Sequence, residues 1–93
     1  MKEERHKWKS SDDIVAFYLY KYGSKTEIEL VAKKLGIKST SMKMRISNFA
    51  FLNTKKGLSK FSKQTKTVYL SWKNSNIAEL KAEYDKIISM ISS

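Results

Sequence analysis

The sequence predicts an all-α fold: a small helix-turn-helix bundle of four to five helices with a basic loop. Three observations carry this expectation. Proline is absent, and glycine occurs only at 23, 36 and 57, where it reads as punctuation between helices. Apolar residues recur at three- and four-residue spacing through most of the chain. A hydrophobic content of 41% over 93 residues is enough for one modest core, so the whole of 1–93 is read as a single domain.

The elements follow in order. Residues 1–9 are charged and read as a frayed arm, with Trp8 as an anchor. Ser10 followed by Asp13 has the form of a capping box. It opens a first helix through Ile14, Val15, Ala16, Phe17, Tyr18, Leu19 and Tyr20 that ends at Gly23. The wide apolar face of this helix marks it as central to the core. Thr26 with Glu29 forms a second capping-box pattern. The helix behind it carries Ile28, Val31, Ala32 and Leu35 on one face and stops at Gly36, a natural residue just past a helix end. Ile37-Lys38 make a tight turn, and Ser39 is a candidate cap for a third helix over 39–52, with Met42, Ile46, Phe49 and Ala50 inward. Residues 53–66 read as a basic loop around Gly57, pinned by Leu58 and Phe61. Over 67–73, Val68, Leu70 and Trp72 alternate like a strand, whereas Val68 with Trp72 and Tyr69 with Trp72 fit a helix; a short helix is preferred. Asn76 with Glu79 caps the last helix, over 76–92. There Ile77, Leu80, Tyr84, Ile87 and Ile91 follow the spacing of a coiled-coil seam. That seam either packs on the rest of the domain, which is preferred in a chain short of core, or supplies a homodimer contact.

Charge is distributed unevenly. The chain's formal net charge is +10. From Lys33 to Lys66 there are ten basic residues and no Asp or Glu, while on either side the two signs cancel. A localised positive block of this kind is the footprint of a polyanion binder. Other classes are disfavoured. No apolar run is long enough for a transmembrane helix, so no membrane partner is expected. The charged N-terminus lacks an apolar signal core, and a cytoplasmic location is expected. Without Cys, and with His6 alone, the sequence suggests no disulfide, no metal site and no cofactor. No nucleophile–base pair and no Gly-rich phosphate loop is visible, so an enzyme is not expected. Asp12, Asp13, Glu27 and Glu29 read as helix-start charges favoured by the helix dipole.

The second and third helices have the layout of a helix-turn-helix. The segment Val31-Ala32-Lys33-Lys34-Leu35-Gly36-Ile37-Lys38 fits its first helix and turn. Ala32 is small where the helices cross, Gly36 permits a left-handed turn, and Ile37 plugs the space between them. With Met42 inward, Lys38, Ser39, Thr40, Lys43 and Ser47 fall on the outer side of the third helix, the side with which a recognition helix meets base edges. Arg45 stands where the general pattern has an apolar residue; if Ile46 takes the core role, Arg45 points to DNA. Lys33, Lys34, Lys55, Lys56, Lys60, Lys63 and Lys66 are then placed for phosphates.

A second resemblance spans residues 8–73. Trp8, Asp12-Asp13, Tyr20, Leu35-Gly36, Ser39, Met44-Arg45, Asn48-Phe49, Leu52 and Gly57 occur in the order seen in the helical segment that precedes the nuclease domain of some HNH-type restriction endonucleases. The run Met42-x-Met44-Arg45-Ile46-x-Asn48-Phe49 is its most distinctive part. The resemblance implies a DNA-targeting module; the His and Asn ligands of an HNH nuclease are absent. Asn48 is either structural, tying the basic loop or a helix end, or a base-reading residue. Of the aromatics, Phe51 and Phe61 lie inside the basic block and are the candidates for stacking on single strands. The expectation is a double-stranded DNA-binding protein acting as a regulator or targeting module. The alternatives are a small basic interaction protein that grips an acidic protein or nucleoprotein complex, and an RNA or single-strand binder.

Overall fold

The computed structural model describes residues 8–57 and 59–92. Within them the chain forms five α-helices and no strand: α1 (Ser10–Tyr22), α2 (Lys25–Leu35), α3 (Ser39–Thr54), α4 (Lys63–Trp72) and α5 (Ile77–Ser92). The ambiguous stretch around 67–73 is helical, as preferred, and the helix begins earlier, at Lys63. Residues 1–7 of the expected arm, and Leu58, lie outside the described residues.

Helix α1 is the central element. It packs against α3, α4 and α5 at once, and Val15, Ala16, Phe17 and Leu19 are almost wholly buried. Its run of consecutive apolar residues fits that position, because a helix surrounded on several sides needs apolar side chains around most of its circumference. The Phe17 ring lies 5.3 Å from Phe49 of α3 and edge-on to Tyr69 of α4 at 6.0 Å. On the other side Tyr18 stacks on Tyr84 of α5, with centroids 4.0 Å apart. The Tyr84 hydroxyl donates to Glu27 Oε2 at 2.8 Å, which ties α5 to the start of α2.

Three helix starts differ from expectation. Lys9, not Ser10, is the N-cap of α1, and its backbone N–H donates to Asp12 Oδ2 at 2.9 Å. The box is shifted by one residue because Asp13 is drawn inward by tertiary partners; Lys9 therefore belongs to the fold and not to an arm. Ser24, not Thr26, caps α2 by accepting from the Glu27 N–H at 3.1 Å. This frees Glu29 to face α3. Ser39 is the first residue of α3 and Lys38 its N-cap, without a side-chain capping bond. The last helix starts as expected, with the Glu79 N–H donating to Asn76 Oδ1 at 2.8 Å.

The seam on α5 is used inside the molecule. Leu80, Tyr84 and Ile87 are buried against the remaining helices and Ile91 is half-buried, while Ile77 is exposed. No helix among the described residues is long and apolar enough to cross a membrane.

Candidate nucleic-acid interface

The joint between α2 and α3 follows from three residues. Gly36 sits in the left-handed region (φ 73°, ψ 26°), where its N–H meets the carbonyls of Ala32 and Lys33. The Ile37 N–H reaches the Ala32 carbonyl at 2.9 Å. The Ala32 and Ile37 side chains are both buried. Helix α3 therefore leaves the turn with Met42 and Phe49 fully buried against the core. Lys38, Thr40, Lys43 and Met44 are exposed, and Ser39 and Ser41 are half-buried.

Arg45 does not point outward, which corrects the expectation that it reaches bases. Its side chain is 14% exposed, and its Nη1 donates to Asp13 Oδ1 at 2.7 Å and also to the Thr65 hydroxyl. The guanidinium lies over the Trp8 ring, 4.0 Å from its centroid. Asp13, entirely buried, also accepts from Gln64 Nε2 at 2.7 Å and from Thr65 Oγ1 at 3.2 Å. Gln64 Nε2 bonds the Trp8 carbonyl as well. One buried carboxylate thus joins α1, α3 and α4, and Asp13 is a tertiary ion-pair partner, not a dipole charge at a helix start. The apolar residue expected at 45 is absent because this part of the core is polar. With Arg45 inward, α3 is turned relative to the expected orientation, and Ile46 and Ala50 are only half-buried.

The loop behind α3 is shorter than the sequence suggested. Helix α3 runs on to Thr54 and ends where Lys55 adopts a left-handed conformation (φ 65°). Ser62 caps α4 by accepting from the Thr65 N–H at 3.1 Å. The irregular stretch is therefore 55–62, and Lys63 and Lys66 stand on α4. This stretch folds back over the C-terminal half of the outer side of α3. A side chain at Gly57 (φ 129°) would come within 2.7 Å of the Ser47 carbonyl. Asn48 is buried and its Nδ2 donates to the Lys60 carbonyl at 2.7 Å, so the structural alternative for Asn48 holds. Phe61 meets Phe51 with ring centroids 6.2 Å apart. Ser47, expected on the open side, is instead covered by the loop at Gly57 and is half-buried.

What stays open is the N-terminal half of α3, with Thr40, Lys43 and Met44 outermost. Lys33, Lys34, Lys38, Lys43, Lys55, Lys56, Lys60, Lys63 and Lys66 are all exposed; Lys60 stands beside Ser41 and Met44, whereas Lys34 borders a cleft shared with α5 and Lys55 caps the far end of α3. Neither α3 nor α4 carries an acid of its own in its first turn; at the start of α4 the Asp13 carboxylate of α1 bonds Gln64 and Thr65 instead. The block is not free of acids in space, however. Lys43 Nζ stands 3.6 Å from Glu29 of α2, with both side chains about half exposed.

Two features escaped the sequence reading. Met44 is 57% exposed on the outer side of α3. Beside it, Trp8, Ser41, Met44, Arg45, Asn48 and Lys60 line an open, largely apolar cleft of about 340 Å³. The signal for Met44 lay in the spacing: two residues past the core residue Met42 is a rotation of about 200°. Comparison with protein-family models, with curated proteins and with solved structures found no significant match to this chain.

Proposed function

We propose that the chain binds double-stranded DNA, with the N-terminal half of α3 in the major groove and the lysines of α2, the 55–62 loop and α4 on the flanking phosphates. The observation that carries this reading is the openness of one half of α3. The loop masks the C-terminal half and brings Lys60 beside Ser41 and Met44 of the half that stays open, while Lys55 stands at the C-terminal end of α3. Phosphate contacts from such lysines fix affinity and register, and contacts from the exposed helix face fix sequence. Lys38, Ser39, Thr40 and Lys43 are the candidates for base edges; Arg45 is removed from that set because its guanidinium is committed to Asp13 and Trp8. The work assigned to the protein is regulation or targeting.

The test is fluorescence anisotropy of a short duplex across a salt series. Neutralising about six phosphates gives a slope of log K against log salt of about −5. Lys55→Ala and Lys60→Ala lower affinity for every sequence alike and flatten that slope, whereas Thr40→Ala and Lys43→Ala alter sequence preference. Failure to bind duplex at low salt, or binding indifferent to salt, overturns the proposal.

A single-strand or RNA-binding reading is favoured by one observation. Phe51 and Phe61 are half-buried neighbours in the basic segment, and Lys55 Nζ lies 5.7 Å from the Phe51 ring. In that case Phe51→Ala abolishes binding to a single strand while Thr40→Ala and Lys43→Ala leave it intact. A protein partner, in turn, is not displaced by excess duplex.

A further inference from the structure

We infer that the cleft between Met44 and Trp8 receives the C5-methyl group of a thymine in the major groove. The inference rests on the DNA-binding reading above and deepens it.

Four observations lead to it. Met44 lies on the open half of α3, more than half exposed and next to Lys43. Single exposed apolar side chains are ordinary on protein surfaces, but this one borders a cleft that Lys60 also lines. The cleft beside it is mostly apolar, with the Trp8 indole and the Met44 thioether as walls. Of its polar lining groups, Arg45 is engaged with Asp13 and the Trp8 ring and the Asn48 amide with the Lys60 carbonyl, while Ser41 and the Lys60 side chain also border it. The cleft is therefore more apolar than its polar residues suggest and suits an apolar group.

The surrounding charge specifies the molecule that carries this group. Among the described residues, Lys60 and Arg45 line the cleft and no acid does. An apolar group presented on a polyanion fits that setting. In the major groove the exposed apolar group is the thymine methyl, which apolar side chains of a recognition helix contact directly. Methionine suits the task because its flexible, polarisable thioether adapts to a small protruding group. Trp8 is held for the same purpose by Arg45 over its ring and by Gln64 on its carbonyl.

The experiment compares two duplexes, an alternating dA-dT duplex and the same duplex with deoxyuridine in place of thymidine, which lacks only the methyl. Every register of the first offers a thymine, so no target sequence need be known. The expected result is binding to the thymidine duplex about fourfold tighter than to the deoxyuridine duplex, the value of one buried methyl group. In Met44→Ala the two affinities become equal. Lys55→Ala weakens both and keeps their ratio. Met44 is exposed, so its truncation leaves folding intact, which circular dichroism verifies. Equal binding of both duplexes by the unaltered protein, or a preference that survives Met44→Ala, overturns the inference while leaving DNA binding in place. Absence of binding to either duplex at low salt overturns the DNA-binding reading itself.

Discussion

Arg45→Ala separates two roles for a residue that the sequence placed on the surface and the fold places inside. In the structure its guanidinium bonds the buried Asp13 carboxylate and the Thr65 hydroxyl and stacks on Trp8. Truncation leaves Asp13, with no exposed surface of its own, holding a charge supported, among the described residues, by Gln64 and Thr65. Breaking a buried pair by removing one partner costs about 3–5 kcal/mol, most of it the penalty of the charge left behind. Loss of the stacking on Trp8 adds about 0.5–1 kcal/mol. In a domain of this size each kcal/mol lowers Tm by about 4–8 °C, so the expected fall is at least about 12 °C. The whole stability of such a domain is about 5–15 kcal/mol; the substitution therefore removes a large part of it. The assay is thermal and urea unfolding followed by helical circular dichroism. Asp13→Ala completes a double-mutant cycle, and the double variant is expected to be less destabilised than the sum of the singles by about 1–3 kcal/mol, since it strands no charge. If Arg45→Ala shifts Tm by less than about 2 °C and abolishes duplex binding, Arg45 is a DNA contact and the placement described above is wrong.

Other expectations follow from single contacts. Gly36→Ala and Gly57→Ala both place a side chain at positive φ, but only at Gly57 does the new methyl strike backbone, at the Ser47 carbonyl. Chemical unfolding is expected to show a cost of about 1 kcal/mol at Gly36 and about 3 kcal/mol at Gly57. Glu29→Gln releases Lys43 from its surface pair; stability changes by less than about 1 kcal/mol, while duplex affinity measured by anisotropy rises severalfold. Burial, followed by the bond to Glu27, raises the Tyr84 phenol above its ordinary range. The folded protein thus holds this proton more tightly than the unfolded chain. Its contribution to stability is complete below the ordinary tyrosine value near pH 10 and declines as pH rises beyond it. Urea titrations across that range are expected to show the decline, and Tyr84→Phe to reduce it.

Much of the architecture was legible in the residue pattern. The three- and four-residue apolar spacing located α1, α2, α3 and α5, and Gly36 marked the joint between α2 and α3 because only a left-handed residue closes that turn cheaply. The Asn76–Glu79 cap was legible for the same kind of local reason. Helix starts were less so: Ser10, Thr26 and Ser39 all have side chains able to cap, and each was displaced by a neighbour one or two residues away. The candidate interface was legible as charge, since the acid-free block is contiguous in sequence. It was not legible as a surface. Arg45 and Lys43 belong to the same block, yet the first is spent on Asp13, 32 positions earlier in the chain, and the second leans on Glu29.

The sequence by itself determined the helices, the turn at Gly36 and the confinement of positive charge to residues 33–66, because periodicity, backbone freedom and local charge are properties of neighbouring residues. Only the tertiary structure decided which residues of that block face outward. The orientation of α3 is set by a buried carboxylate on α1 that turns Arg45 inward, and the loop 55–62 is folded over Ser47 by Gly57 and Asn48. Met44 was left exposed by the same two events. These contacts join residues far apart in the chain, and their outcome depends on which polar groups can be satisfied once water is excluded, a condition that exists only in the packed core.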